Sequence, residues 1–501
     1  MANKPVQLTK KTLDKDLDKL TFVEDASKFV LRSLVAPGLA VLFLGMVMLF
    51  AGVYVFDQPD AVLIIAASAL AAYMAMNIGA NDVTNNVGAA VGARAISMAG
   101  ALMMAAVFEI LGATIAGGGV TQTIASGIVS REVIPDANTL AWLMMAALTA
   151  AALWINLATW LNAPISTTHS IVGAVLGAGI AAAGFDLVNW EMIGMILVSW
   201  IVSPLLGGLI AIFFLYILKE TIIYRQDKIA AANRWVPVLI AVMFGSFTTY
   251  ILLQTAPINH VPPVWTGPLG LAAGFACWLA ARPLIARQSI GLENRNDSLR
   301  KLFRLPLIFS AALLSFAHGA NDVSNAIGPL SAIVHVVMES RDVTETVGVP
   351  FWVMAIGALG ISVGLLLFGP RLIRIVGEQI TKLNPMRAYC VALSAAVTVI
   401  VASWLGLPVS STHIAVGAVF GVGFFREWYT RHSRRRIEYM RQKSGHFDIA
   451  EPEDRNPDET RRRYLVRRSH LMTIGAAWII TVPISAALAA VLYWIMFALF
   501  I

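Results

Sequence analysis

Apolar runs of about twenty residues recur along almost the whole chain, separated by short polar or basic stretches. A run of that length crosses a hydrocarbon core of about 30 Å as a helix, with its backbone polar groups bonded inside the segment. The pattern predicts spans over 33–56, 60–80, 97–118, 138–160, 166–184, 192–218, 235–253, 265–285, 305–338, 350–370, 388–405, 410–425 and 471–499. The run 305–338 is too long and too polar at its middle for one uniform helix, which predicts a break at Gly319 to Asn325. A break at membrane depth is tolerated only where protein or a cavity covers the backbone.

Loop charge orients this layout. Basic residues cluster at 219–234 (Lys219, Arg225, Lys228, Arg234), at 282–304 (Arg282, Arg287, Arg295, Arg300, Lys301, Arg304) and at 371–387 (Arg371, Arg374, Lys382, Arg387). The loops at 119–137, 185–191, 254–264 and 339–349 carry little or no net positive charge. Because cytoplasmic loops hold the Lys and Arg excess, thirteen crossings with a cytoplasmic N-terminus satisfy the alternation. Residues 1–32 then form a retained cytoplasmic arm, without the apolar core or cleavage site of a secretory signal. The basic run Arg426 to Arg468, interleaved with the acidic stretch Glu451 to Glu459, becomes a solvated cytoplasmic loop.

Composition agrees with the pattern. Of 501 residues, 58% are hydrophobic and 13% charged, too few polar groups to cover a soluble protein of this size. The net charge of +7 sits in short loops rather than on one basic face, which speaks against nucleic acid. The two cysteines, Cys277 and Cys390, both lie in apolar segments, so neither a disulfide framework nor a cysteine metal site is expected. No nucleotide-binding motif and no plausible Ser–His–carboxylate set stand in the chain, and an enzyme is not expected.

Two polar islands interrupt the apolar sequence, and each occurs twice. Gly79-Ala80-Asn81-Asp82-Val83-Thr84-Asn85 returns 240 positions later as Gly319-Ala320-Asn321-Asp322-Val323-Ser324-Asn325. Pro164-Ile165-Ser166-Thr167-Thr168-His169 returns 244 positions later as Pro408-Val409-Ser410-Ser411-Thr412-His413. A weaker match links Trp200-Ile201-Val202-Ser203-Pro204 with Trp478-Ile479-Ile480-Thr481-Val482-Pro483. The near-constant shift indicates a duplication. In the layout above, the first Asn-Asp island ends an inward span while its copy interrupts an outward one, so the repeat is inverted. The predicted fold is an all-α polytopic membrane protein of about 12–13 transmembrane helices in two inverted-topology repeats, with broken helices at the midplane.

Carboxylates inside a membrane cost a few kcal/mol or more unless paired, protonated or wet. Asp82 and Asp322 have suitable neighbours in Asn81, Asn85, Asn321 and Asn325, which can share a cation, although capping of buried helix ends would use the same residue types. The hydroxyls of Ser166, Thr167, Thr168, Ser410, Ser411 and Thr412 stand at helix starts, where unpaired N–H groups and the helix dipole favour an anion. A protonated phosphate could donate to Asp82 or Asp322, whereas sulfate would be repelled, and a co-bound cation would offset the remaining like charge. Glu109 is a third intramembrane carboxylate without a visible partner in sequence. His318, beside the predicted break, suits either a proton relay or packing. His169 and His413 are read as partners of helix ends, not as metal ligands.

The doubled Gly-Ala-Asn-Asp-Val-x-Asn and Pro-x-Ser-[Ser/Thr]-Thr-His motifs resemble the inorganic phosphate transporter family, which has sodium-coupled and proton-coupled members. The resemblance covers roughly residues 60 to 499. It implies a phosphate site in which Asp82, Asn85, Ser166 and Thr167 face Asp322, Asn325, Ser410 and Ser411. Cation coupling would involve Asn81, Asp82, Glu109, Thr168, His318, Asn321, Asp322 and Thr412. Ala392 stands where many sodium-coupled relatives carry a glutamate, which keeps proton coupling open.

The expected organisation is an arm over 1–32, an extra span over 33–56, a first transporter repeat over 57–218 and linking spans with basic loops over 219–304. A second repeat core over 305–425, a charged loop over 426–470 and a final span over 471–501 complete it. The expected function is symport of inorganic phosphate with sodium or protons across a plasma or bacterial inner membrane, with no other cofactor. A sulfate permease on the same scaffold and an uncoupled anion channel are the alternatives. The partners are phosphate and the lipid bilayer, not nucleic acid, and a homo-oligomer is left open.

Overall fold

The computed structural model describes residues 34–500 apart from 59, 131–132, 135, 162, 164, 257–259, 340–347, 380–382 and 445–467. The arm 1–32, Pro164 and the charged stretch from Glu451 to Arg463 lie outside the described residues. All thirteen apolar runs are helical. In chain order they are α1 Leu34–Val55, α2 Ala61–Gly92, α3 Met98–Ala116, a short α4 Gly118–Gln122, α5 Ala137–Trp160, α6 Thr167–Ala183, α7 Trp190–Leu218, α8 Lys228–Gln254 and α9 Pro263–Ser289. There follow α10 Asn296–Leu302, α11 Arg304–Asp322, α12 Ser324–Val334, α13 Phe351–Gln379, α14 Pro385–Trp404, α15 Ser411–His432, α16 Arg434–Ser444 and α17 Arg468–Phe500.

Local sequence sets most of the starts. Ser97, Asp136, Asn189, Asp227 and Asn384 each accept a backbone N–H three residues on, capping α3, α5, α7, α8 and α14. Among the described residues, ten helices are long and apolar enough to cross a membrane, and the bent pair of α10 with Arg304–Met338 makes an eleventh. The other two, α6 and α15, begin at the hydroxyl motifs in the buried interior rather than at a surface. The lower count of full-length spans thus reflects two helices that start inside the protein.

The first Asn-Asp island does not end a span, because α2 continues through it to Gly92. In the second copy helical bonding lapses only at Val323, and the sharp bend, of 48°, falls earlier, at Phe303 between α10 and α11. Polar side chains of both islands bond to other helices, Asn85 to Thr412 on α15 and Asn321 to Ser403 on α14.

The duplication is visible as an exchange of partners. α2 packs along α13 while its counterpart α11 packs along α3; α6 packs along α17 while its counterpart α15 packs along α7. Two interlocked repeats of inverted topology result. Glycines sit at every one of these crossings. A Cβ on Gly79 would meet the Ile361 carbonyl, and one on Gly319, its copy, would meet the Glu109 carbonyl. Gly364 faces Met76 and Gly112 faces Phe316 in the same pairwise way. Gly417 lies on Pro204, and Gly173 on Val482 beside Pro483, so the weak Trp-to-Pro match marks a real equivalence.

These contacts are backbone against backbone and cannot yield. Gly319→Ala is therefore expected to lower the thermal stability of the detergent-purified protein by about 1–3 kcal/mol or to abolish its recovery. Gly45→Ala, whose Cβ meets nothing, should leave both unchanged. Equal melting temperatures for the two variants would contradict this account of the crossings.

The basic loops gather at one end of the bundle. Lys228 N donates to Asn294 Oδ1 at 2.9 Å, Arg435 pairs with Glu220 at 2.6 Å, and α10 packs on α14 near Arg387. The weakly charged loops 119–137 and 185–191 meet each other, through Ser130 N to Leu187 O at 2.6 Å and Asn189 N to Ile128 O at 3.0 Å.

Candidate functional site

The two Asn-Asp islands and the two hydroxyl motifs converge in one buried polar cluster. It forms because α2 and α11 cross the middle of the bundle while α6 and α15 point their first turns at them. Asp82, Asp322, His318, Glu109, Asn321 and Asn325 are all at most 1% exposed. The first island is nearer to solvent, since Asn81 and Asn85 are only partly buried.

Each aspartate accepts from the hydroxyl motif of its own half. Thr167 Oγ1 donates to Asp82 Oδ2 at 3.2 Å, and its copy Ser411 donates to Asp322 Oδ2 at 2.9 Å. The following threonines join the halves. Thr412 donates to Asp82 Oδ1 at 2.9 Å and accepts from Asn85 Nδ2 at 2.8 Å. Thr168 donates to the Val409 carbonyl at 2.9 Å and accepts from Asn325 Nδ2 at 3.2 Å.

Asn321 and Asn81 position the chain. Asn321 Nδ2 donates to Ser403 Oγ at 3.0 Å and to the Leu407 carbonyl at 3.3 Å, and its Oδ1 accepts from Val409 N at 3.3 Å. Asn81 Nδ2 reaches Asp82 Oδ1 at 3.2 Å and the Ile165 carbonyl at 3.4 Å. These bonds hold the extended segments that lead into α15 and α6. Ser166 and Ser410 are the N-caps of those helices, accepting from His169 N at 3.1 Å and His413 N at 3.3 Å. The capping role weighed for the Asn-Asp islands thus falls to these serines.

His318 joins the carboxylates. Its Nδ1 lies 3.1 Å from Glu109 Oε1. Its Nε2 lies 3.0 Å from Asp322 Oδ2, at ion-pair distance but off hydrogen-bond geometry, and 3.8 Å from Asp82 Oδ2. Glu109, without a visible partner in sequence, has two: His318 and Asn86, whose Nδ2 donates at 2.8 Å. Asn86 is the site residue that sequence reasoning missed. It follows directly on Asn85, but its counterpart 240 positions on is Ala326, and a search for repeated residues passes over it. His318 likewise has an apolar counterpart, Ile78, so the Glu109–His318 arm departs from the two-fold pattern.

Among the described residues several acceptor oxygens in the cluster have no hydrogen-bond partner: Asp322 Oδ1, Asn325 Oδ1 and Glu109 Oε2. Asp82, His318 and Asp322 can each aim one ligand atom at a common point, these atoms lying within 4.8 Å of one another. Hard cations prefer carboxylate and amide oxygens, and that is the donor set of Asp82, Asp322 and Asn325. Protonation of a carboxylate or of His318 would meet the same need by another route.

The ring of His169 stacks on Trp200 with centroids 3.7 Å apart and meets His413 edge-on at 4.4 Å, which closes the seam between α6 and α15. Trp200 Nε1 donates to the Pro408 carbonyl at 3.0 Å, tying α7 to the second hydroxyl motif.

Comparison with known proteins places this arrangement. A solved structure described as the sodium-dependent phosphate transporter is 33% identical and superposes with a TM-score of 0.77, covering 88% of this chain and 100% of its own. A protein of Helicobacter pylori strain J99 named "Putative phosphate permease" is 43% identical over 94% of this chain and 96% of its own. One of Pyrococcus abyssi with the same description is 38% identical over 70% of this chain and 86% of its own. The model of the phosphate transporter family matches residues 78–489, a range that holds both Asn-Asp islands and both hydroxyl motifs. With that match, and with apolar helices that make it a multi-pass membrane protein, the chain belongs to the phosphate transporter family and is a transporter, not an enzyme.

Proposed function

We propose that the protein is a secondary active symporter that carries inorganic phosphate together with sodium through the cluster between its two repeats. The observation that supports this most is the pairing of hydroxyl donors with unpartnered carboxylate and amide acceptors in one buried site. The phosphate-binding groups are Asp82, Asn85, Ser166, Thr167, Asp322, Asn325, Ser410 and Ser411. The phosphate hydroxyl donates to an aspartate, and Thr167 and Ser411 turn from Asp82 and Asp322 to the phosphate oxygens as the cation takes over the carboxylates. Asn81, Glu109, Thr168, His318, Asn321 and Thr412, with the two aspartates, couple the cation. Sodium is preferred because hard oxygen ligands suit it and because the solved relative at 33% identity is described as sodium-dependent.

Residues 57–218 and 305–425 with 471–501 form the two repeats, and 1–32, 219–304 and 426–470 lie at or link through the cytoplasmic side. The basic loops that meet at one end of the bundle support that orientation. The membrane is the plasma membrane or a bacterial inner membrane.

Proton symport is the second reading, favoured by His318 among three carboxylates and by Ala392. Ion replacement in sealed proteoliposomes separates the two. An inward sodium gradient at equal pH should drive accumulation of labelled phosphate, and excess sulfate should not compete. Accumulation driven by a pH gradient alone would assign the proton instead. Equilibration without accumulation under either gradient would make the protein a channel, and abolition by sulfate would make it a sulfate permease.

A further inference from the structure

Besides the bonds that hold the cluster together, α2 carries a second polar feature. Asn77, Asn81, Thr84 and Asn85 recur at helical spacing and share one face of the helix over about 12 Å. Asn81, Thr84 and Asn85 are partly exposed, and Asn77 is 7% exposed. Asn156 of α5, itself exposed, joins this face by donating Nδ2 to Asn77 Oδ1 at 3.1 Å. Among the described residues no donor reaches the amide oxygen of Asn81, Asn85 or Asn156, and protein does not enclose these oxygens.

The equivalent face of the second half is shut. Asn77, Asn81 and Asn85 correspond to Ala317, Asn321 and Asn325, all fully buried. The Gly406 carbonyl, just beyond α14, accepts from Thr123 Oγ1 at 2.7 Å, which ties that end of the second half to the loop after α4.

The depth of the open face decides what solvates it. α5 starts beside the weakly charged loops and runs away from them. Asn156 meets Asn77, and Ile165, further along the chain, meets Asn81 at 3.4 Å, so α2 runs the same way, toward the basic end. Asn81 lies about 16 Å before the end of α2 at Gly92, within the thickness of a hydrocarbon core. An amide oxygen without a donor is costly in hydrocarbon, and polar groups at that depth face protein or a water-filled cavity. Protein supplies no donor here, so water does.

We propose that this face of α2, with Asn156, is one wall of an aqueous route joining the central cluster to the basic end of the bundle, and that Asn77, Thr84 and Asn156 line the passage of phosphate between solvent and the aspartates. Amides suit the task, offering donors to the oxyanion and acceptors to its hydroxyls. Without a positive charge they guide the ion and do not retain it, as conduction requires. The passage of phosphate rests on the reading of the cluster as a phosphate site; the presence of water does not.

The test places single cysteines in the full-length protein, Asn156→Cys and Thr84→Cys, with the parent's Cys277 and Cys390 as background. Inside-out membrane vesicles, which present the basic end, are treated with a membrane-impermeant, negatively charged methanethiosulfonate. Because the thiolate reacts and forms in water rather than hydrocarbon, both variants should be modified about tenfold or more faster than Met46→Cys on the exposed face of α1. The modification should lower phosphate uptake by about tenfold or more. Modification no faster than at Met46→Cys, or confined to right-side-out vesicles, overturns the route, and fast modification with uptake intact overturns its use by phosphate. If Asn156→Cys does not fold, Thr84→Cys carries the test. A parent that transports no phosphate strikes the reading of the cluster instead, while the modification rates still report whether water fills the route.

Discussion

Phosphate uptake into proteoliposomes is expected to fall by about 100-fold or more when Asp322 is replaced by Asn, with the protein still folded and inserted. Asn keeps the shape of the side chain but removes the charge and turns one acceptor into a donor. Asp322 accepts from Ser411, lies 3.0 Å from His318 Nε2, and leaves Oδ1 without a partner in a fully buried setting. Removing a charged hydrogen-bond acceptor or a cation ligand at that position costs about 3 kcal/mol, which corresponds to about two orders of magnitude in rate. Asp82→Asn should behave alike, because Asp82 holds the equivalent place against Thr167 and Thr412. Parental uptake by Asp322→Asn, at matched protein density, would remove this carboxylate from the transport site.

The second large effect concerns charge balance in the core. His318 is the only basic group described among Asp82, Asp322 and Glu109, and all four are at most 1% exposed. Removing one partner of a buried ion pair typically costs about 3–5 kcal/mol, because the charge left behind keeps its desolvation penalty without compensation. His318→Gln should therefore lower the melting temperature markedly and abolish uptake. Glu109→Gln in addition removes one of the stranded negative charges, so the double variant is expected to regain about 1–3 kcal/mol of the lost stability without regaining transport. Strictly additive losses in the two single variants and the double would show that Glu109 and His318 do not interact, despite their 3.1 Å separation.

Much of this architecture is legible in the sequence because the membrane restricts the choices. Each apolar run of about twenty residues has to be a helix, since hydrocarbon offers no other partner for the backbone. The repeated strings at shifts of 240 and 244 positions reveal the duplication directly, and they mark the residues that meet in the core. Other features depend on neighbours distant in sequence. The expected break at Gly319 to Asn325 is a lapse at Val323 alone, where Asn321 is held by Ser403 of α14 and by the Leu407 carbonyl just beyond that helix.

The residue types, their doubling and the apolar periodicity determined by themselves that this is a helical membrane protein with two related halves and a shared polar centre. Pattern carries that information because burial and backbone satisfaction act locally. Only the tertiary structure decided that Asn86 and His318 flank Glu109. Those pairings join residues from 23 to 209 positions apart, or arise from the crossing of helices at glycines, and no local preference encodes such distances.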